Sequence, residues 1–312
     1  MYPFSFKISL SMLVIIIFVS SFVMAYEEDS SSLEDATVTV ILDQKGIKLT
    51  LEFIKDAYEQ GNLTSDECHF LLHRLGEISS GKFGIKKSMH EASEVIELCR
   101  TGFIHGLFLG ADFEDINVSD LCIQSLKSSA LRLQCFHGLG HGLEVFFNYN
   151  LNEALSVCKL ENNVAYRSAC LSGVFMEEFS PRMHLSRNST NETFSICEEN
   201  EFMRECFWYV GIRVTEQNVS LSEGLKKCNT LDVKYKLDCE KGFGVLAARR
   251  SNYKLSEILF VCNDSKACLL GAASEFGLSK EIPRGLSLCT RVSWNSTLGC
   301  FSELISGYSK HF

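Results

Sequence analysis

Fourteen cysteines constrain this chain more than any other feature, because most fall into neighbouring pairs with the same surroundings. The first cysteine of a pair follows a Leu or Phe by three residues, as Cys158 follows Leu155, and the second often precedes a Gly by three, as Cys170 precedes Gly173. The unit recurs every ~27–39 residues, the period of stacked helical hairpins. The first cysteines of the units are Cys122, Cys158, Cys197, Cys228, Cys262 and Cys289.

Each pair predicts a disulfide that closes a short loop between two antiparallel helices. Such a bridge contributes about 2–3 kcal/mol by the chain-entropy estimate, so several of them would dominate stability. The two cysteines that remain, Cys68 and Cys99, are predicted to bond to each other. The other predicted pairs are Cys122–Cys135, Cys158–Cys170, Cys197–Cys206, Cys228–Cys239, Cys262–Cys268 and Cys289–Cys300.

The cysteine density and the N-terminal residues both indicate an extracytoplasmic protein, either secreted or membrane-anchored. Residues 1–25 comprise a basic start, an apolar run and a small-residue ending, as in a signal peptide cleaved before Tyr26. The apolar run is nearly long enough to span a bilayer, so an uncleaved signal anchor is the alternative. Membrane contact is expected only through this segment, if it is not cleaved.

The sequons and the charge distribution limit the kinds of partner that we expect. Seven Asn-x-Ser/Thr sequons predict a glycoprotein, although Asn and Ser at these places would also cap helices. The net charge of −9 is spread along the chain and no basic stripe is present, so nucleic acid is not an expected partner. The sequons begin at Asn62, Asn117, Asn188, Asn191, Asn218, Asn263 and Asn295.

Three segments follow from the hydrophobic pattern. Residues 1–25 are the signal or anchor, residues 26–46 an acidic linker, and residues 47–312 a single Cys-rich domain of α-hairpins. Within the linker, the β-branched run 37–42 is either a short strand or the lead-in to the first helix. The predicted fold is all-α: an α-hairpin repeat solenoid, able to curl into a closed toroid, with one disulfide per repeat. Helix A of each hairpin ends near a cysteine and helix B begins near the next, as at Cys170 and Cys239.

The period, the hairpin unit, the cysteines across each hairpin and the Asn152-Glu-Ala-Leu155 turn make residues 60–312 resemble the Sel1-like and tetratricopeptide superfamily in architecture. The tetratricopeptide pattern of Trp, Leu-Gly, Tyr and Pro is absent, and Cys135-Phe-His-Gly-Leu-Gly-His-Gly142 belongs to neither family. The resemblance implies an extracytoplasmic scaffold.

Histidines are concentrated early in the repeats. His69 and His73 are four residues apart, as are His137 and His141, so each pair would share one helical face. His73 stands five residues after a cysteine, and His105 and His141 stand six after one, so stacked repeats would bring these equivalent positions into one row. The five histidines are the candidate metal ligands. Imidazoles on one face are metal ligands in many sites, and they also occur as hydrogen-bonded core residues.

Other candidate ligands extend the same row. The position that matches His141 in the next unit is Met176, followed by Glu177 and Glu178, and Glu77 and Glu144 lie further along the histidine faces. This mixture suits zinc, copper or non-haem iron.

Three functions remain open. The first is a scaffold that binds a protein, peptide or glycan on a concave surface lined by helix B. The second is a metal-binding protein or metalloenzyme. The third is a structural cell-surface glycoprotein. The chain has no HExxH motif, GxSxG elbow or phosphate-binding loop, which favours a protein that is not an enzyme.

Overall fold

The structure is a computed structural model that describes residues 30–92, 98–111, 113, 118–179, 196–197, 202–213, 220–292 and 294–309. These ranges contain fifteen α-helices, one short 3₁₀ helix and no strand, so the all-α prediction is confirmed. The predicted signal or anchor lies outside them. Among the described helices, none combines the length and the apolar content needed to cross a membrane.

The helices follow one another with short connections. The 3₁₀ helix spans Leu98–Thr101. The α-helices are α1 (Ser30–Glu59), α2 (Ser65–Phe83), α3 (Ile85–Glu91), α4 (Gly102–Leu109), α5 (Val118–Ser125), α6 (Ser129–Phe146), α7 (Leu151–Lys159), α8 (Val164–Glu178), α9 (Met203–Arg213), α10 (Leu221–Cys228), α11 (Val233–Arg250), α12 (Leu255–Cys262), α13 (Lys266–Leu278), α14 (Ile282–Arg291) and α15 (Trp294–Ser309).

Eight helices form a row in which each packs against the next in chain order. We call these the row helices: α2, α4, α6, α8, α9, α11, α13 and α15. Five shorter helices, α5, α7, α10, α12 and α14, each pack against the row helix that follows them. The buried core lies between the two sets and includes a phenylalanine from most row helices, such as Phe136, Phe175 and Phe243.

All seven predicted disulfides are confirmed, and no cysteine is free. Five of them join a short helix to the row helix after it, and Cys197–Cys206 joins residues 196–197 to α9. The remaining pair differs, because Cys68–Cys99 connects α2 to the 3₁₀ helix that precedes α4. This bridge ties together two neighbours in the row.

Glycines set the spacing within the row. A Cβ built on Gly173 would lie 1.9 Å from the carbonyl oxygen of His137, and one on Gly242 would lie 1.8 Å from that of Trp208. Any larger residue would force these backbones apart. Where a Gly stands three residues after the second cysteine, it thus allows contact with the preceding row helix, rather than with the helix on the other end of the disulfide. Side chains of adjacent row helices are brought close on this face.

Of the two alternatives for residues 37–42, the strand is wrong and the helical one agrees with the structure. This run lies in α1, where Val38 and Leu42, one helical turn apart, are buried and Val40 is exposed. Burial at this four-residue spacing outweighs the β propensity of the run. The rest of the predicted linker is also helical from Ser30, and α1 bends at Gly46, whose φ is 78°.

The row helices begin earlier than predicted. Helix α8 begins at Val164 rather than at Cys170, because the Asn163 side chain caps it by accepting from the amides of Ala165 and Tyr166. The short helices end near their cysteines as predicted; α7, for example, ends at Lys159.

Candidate functional site

Three neighbouring row helices bring five histidines together. Helix α2 carries His69 and His73, α4 carries His105, and α6 carries His137 and His141. The His105 ring lies at the centre, with its centroid 4.8–5.7 Å from those of the other four. His105 and His141 are buried, whereas the other three are partly exposed. The cluster is therefore reachable from solvent.

The five imidazoles divide into two overlapping groups. His69, His73 and His105 form one group, and His105, His137 and His141 form the other. Within each group, one nitrogen from each residue lies within 4.8 Å of the other two. Each group therefore offers three nitrogens that are close enough to share an ion after small adjustments.

Outward-facing nitrogens of the first group meet hydrogen-bond acceptors. His69 Nδ1 lies 2.8 Å from the carbonyl oxygen of Cys99, and His105 Nε2 lies 3.0 Å from Oε1 of Gln134. Because a carbonyl oxygen only accepts, each of these nitrogens carries the hydrogen. The other nitrogen of each ring then carries the lone pair, as in metal-binding histidines held by an outer partner.

The histidines of the second group also have outer hydrogen-bond partners. His141 Nδ1 lies 2.8 Å from a carboxylate oxygen of Glu177, to which it donates. His137 Nδ1 lies 3.0 Å from the Ser172 hydroxyl, which is itself 2.7 Å from the Tyr209 hydroxyl. The buried Tyr209 hydroxyl can donate to Ser172, whose own hydrogen can then go to His137 Nδ1. Burial raises the pKa of Tyr209 to about 12, so this phenol stays protonated.

Two pairs of inward-facing nitrogens are separated by a distance typical of metal ligands. His105 Nδ1 lies 3.3 Å from His73 Nε2, and His137 Nε2 lies 3.2 Å from His141 Nε2. In the latter pair, His137 Nε2 can also donate to His141 Nε2, which completes a hydrogen-bonded chain from Tyr209 to Glu177. Two nitrogens bound tetrahedrally at about 2.0–2.1 Å would be about 3.3–3.4 Å apart, close to both separations.

Burial keeps the central imidazoles neutral. Desolvation, and then repulsion from neighbouring imidazoles, holds the pKa of His73 and of His105 well below the usual value of 6.5. A neutral imidazole is the form that binds metal. No proton has to be displaced from these two rings near neutral pH before an ion binds.

Buried carboxylates flank the histidines. Glu144 and Glu177 are 0% and 1% exposed, and Glu178 is 5% exposed. Within the described part of the chain, Oε1 of Glu177 has no hydrogen-bond partner. Burial, and then the negative charges of Glu177, Glu144, Glu77 and Glu178, raise the pKa of Tyr149 to about 12. Glu77 also pairs with Arg74, and the four carboxylates together place negative charge around Tyr149.

The register predicted from the cysteines is one residue off at His141. Met176 matches His141 in register, yet Glu177 is the residue that contacts His141, while Met176 is partly buried against the core. Gln134 and Ser172 were missed altogether. Ser172 could have been found, because it stands two residues after Cys170 just as His137 stands two residues after Cys135.

The fold and the site together define a disulfide-rich, all-α protein with a five-histidine cluster between three helices. No protein-family model, curated protein or solved structure matches this chain. Its function therefore has to be inferred from the chemistry of the cluster.

Proposed function

We propose that this protein binds a transition metal through the five-histidine cluster. One observation supports this most strongly: the five imidazoles form two groups of three, and within each group one nitrogen per residue lies within 4.8 Å of the others. The Nε2 atoms of His137 and His141 are 3.2 Å apart, a separation that suits two ligands of one ion as well as a hydrogen bond.

The ligand chemistry favours zinc or copper. Imidazole suits zinc, copper and iron, and a tetrahedral ion held by three imidazoles retains one open position. Thiolate ligands are absent because every cysteine is in a disulfide. The nearest carboxylate, that of Glu177, contacts His141 Nδ1, which suits an outer partner that orients the ligand.

Elemental analysis tests this proposal. The full chain is exported by an oxidising host, purified without chelator, incubated with zinc or copper and desalted. We expect stoichiometric metal in the wild type and a large loss in the His137→Gln/His141→Gln variant. His90→Gln is the matched control, because His90 is exposed on α3 and belongs to neither histidine group. A wild-type protein that retains neither metal would contradict the proposal.

A second candidate function is a binding scaffold. We propose that the row is a repeat solenoid of the Sel1-like and tetratricopeptide kind, which presents a surface to a protein, peptide or glycan. Large apolar side chains are exposed near the starts of three row helices, with Val164 at 69%, Val233 at 74% and Leu298 at 84%. Exposed apolar groups of this size favour a protein or peptide partner. Affinity capture with wild type and with Val164→Glu/Val233→Glu would test this, and equal capture by both would count against it.

Seven disulfides fit an extracytoplasmic location. We further propose that the protein is a secreted or membrane-anchored glycoprotein. Asn62 and Asn263 are the sequon asparagines whose side chains the structure describes, and both are exposed. Treatment of the exported protein with a glycosidase should lower its apparent mass, and an unchanged mass would contradict glycosylation.

A further inference from the structure

The proposed function leaves open how many ions five histidines hold. Two ligand atoms on one ion at about 2.0–2.1 Å can be at most about 4.2 Å apart, even on opposite sides of the ion. His69 and His73 belong to one group and His137 and His141 to the other, with only His105 in common. In this geometry, one ion reaches three of the five imidazoles and leaves two without metal.

The two pairs of nitrogens at 3.2–3.3 Å divide in the same way, one pair in each group. The His73–His105 pair and the His137–His141 pair share no atom, yet each has the separation of two ligands on one ion. An ion bound by the first group would leave His137 and His141, whose Nε2 atoms are 3.2 Å apart, without metal. A single ion therefore occupies only one of the two pairs.

We propose that the cluster holds two metal ions, the first bound by His69, His73 and His105 and the second by His137 and His141. This inference rests on the proposed function and gives it a stoichiometry. His105 belongs with the first ion, because its Nδ1 faces His73 while its Nε2 is held by Gln134.

The two ions differ in their ligands. The first ion has three imidazoles, whereas the second has two and keeps more positions open for water or an exogenous ligand. An ion with fewer protein ligands is released more readily. The second ion is therefore the exchangeable one, and exogenous ligands bind there.

The surrounding charges support two cations. Two divalent ions in a largely buried site need negative charge nearby. Glu177 contacts His141, a ligand of the second ion, and two further buried glutamates are close in the chain, Glu144 three residues after His141 and Glu178 next to Glu177. The carboxylates thus lie close to the ion that has fewer protein ligands.

Counting zinc in single-site variants tests the proposal. Wild type and variants are loaded with zinc alone, desalted and measured by native mass spectrometry with elemental analysis. We expect two equivalents in wild type and in His90→Gln, and one each in His73→Gln and His137→Gln. A chelator should remove one equivalent from wild type faster than the other, and His137→Gln should lack the fast fraction.

The outcomes separate the two proposals. One equivalent in wild type would overturn the two-ion inference and leave metal binding intact, whereas none would overturn metal binding as well. Two equivalents in wild type with none in His73→Gln or His137→Gln would show one interdependent site and also overturn the inference. His69→Gln serves as a second variant of the first ion, and circular dichroism confirms that each variant is folded.

Discussion

The same turn occurs twice in the chain, after α6 and after α11, but the side chains around it differ between the two places. Asn148 and Tyr149 have φ values of 50° and 64°, and Asn252 and Tyr253 have 49° and 59°. In both turns, the tyrosine amide donates to a carbonyl five residues earlier, at 2.8 and 2.9 Å. Each tyrosine stands fourteen residues after the cysteine of its row helix. The two regions therefore share one backbone.

Each turn lies beside a row helix with a buried glutamate seven residues after its cysteine, Glu177 in α8 and Glu275 in α13. Arg249 donates to Glu275 at 2.9 Å, whereas His141 donates to Glu177 at 2.8 Å. In the C-terminal region, the chain thus supplies a permanent cation to the buried carboxylate. In the histidine region, it supplies an imidazole whose other nitrogen points into a cluster.

The residues of the histidine region have different counterparts at the same positions of α11. At the positions of His137, His141 and Glu144 in α6, helix α11 has Lys241, Val245 and Ala248. The shared frame accepts either set, so the fold does not require the histidines. The comparison teaches that the C-terminal region neutralises its buried carboxylate with an arginine, whereas the histidine region pairs its buried carboxylate with an imidazole.

The largest expected effect comes from removing the built-in cation. Arg249→Met leaves Glu275, which is 0% exposed, without its arginine and should lower the free energy of unfolding by about 3 kcal/mol. Urea denaturation of the oxidised protein measures this change. Adding Glu275→Gln should recover part of the loss, because no buried charge then remains. A loss below about 1 kcal/mol would contradict self-neutralisation.

Acid should destabilise the histidine region of the metal-free protein. Because the pKa values of His73 and His105 are lowered in the folded state, the unfolded chain binds more protons below about pH 6.5. Their contribution to stability is complete above that pH and is lost as the pH falls, by up to about 2.7 kcal/mol per pH unit for the two groups together. Urea midpoints measured between about pH 7.5 and 5.5 would reveal the decline. His73→Gln/His105→Gln should flatten it, and an equal slope in this variant would contradict the assignment.

The smallest expected effect contrasts the two buried glutamates. Glu177→Gln removes the charged acceptor of His141 and should weaken metal binding about 10–100-fold. Glu275→Gln, the matched change in the C-terminal region, should leave metal affinity unchanged. Competition against a chelator of known affinity measures both. Equal effects of the two changes would indicate a general loss of packing rather than a role of Glu177 in orienting His141.

Much of this organisation could be predicted from the sequence, because it depends on residues close together in the chain. Neighbouring cysteines pair because the loops between them are short, and the histidines gather because they recur at one register of the repeat. The contact of His141 with Glu177 instead of Met176 could not be predicted, since it depends on how Gly173 seats one backbone against the next. The sequence pattern alone does not show this shift of one residue.

The partners of the outward-facing nitrogens were harder still to predict. The Cys99 carbonyl and the Gln134 amide come from neighbouring elements, and neither residue type by itself signals a role beside a histidine. The run at residues 37–42 was ambiguous for a related reason, because its β-branched residues fit a strand until tertiary packing buries Val38 and Leu42 on one helical face.

Every disulfide joins a cysteine to the next cysteine along the chain. In six of the seven bridges the partners are only 6–13 residues apart, and in Cys68–Cys99 they are 31 apart. During synthesis into an oxidising compartment, each thiol therefore meets its correct partner before any later one has emerged. Oxidation can proceed in order from the first pair to the last, with little need for isomerases to correct mispaired intermediates.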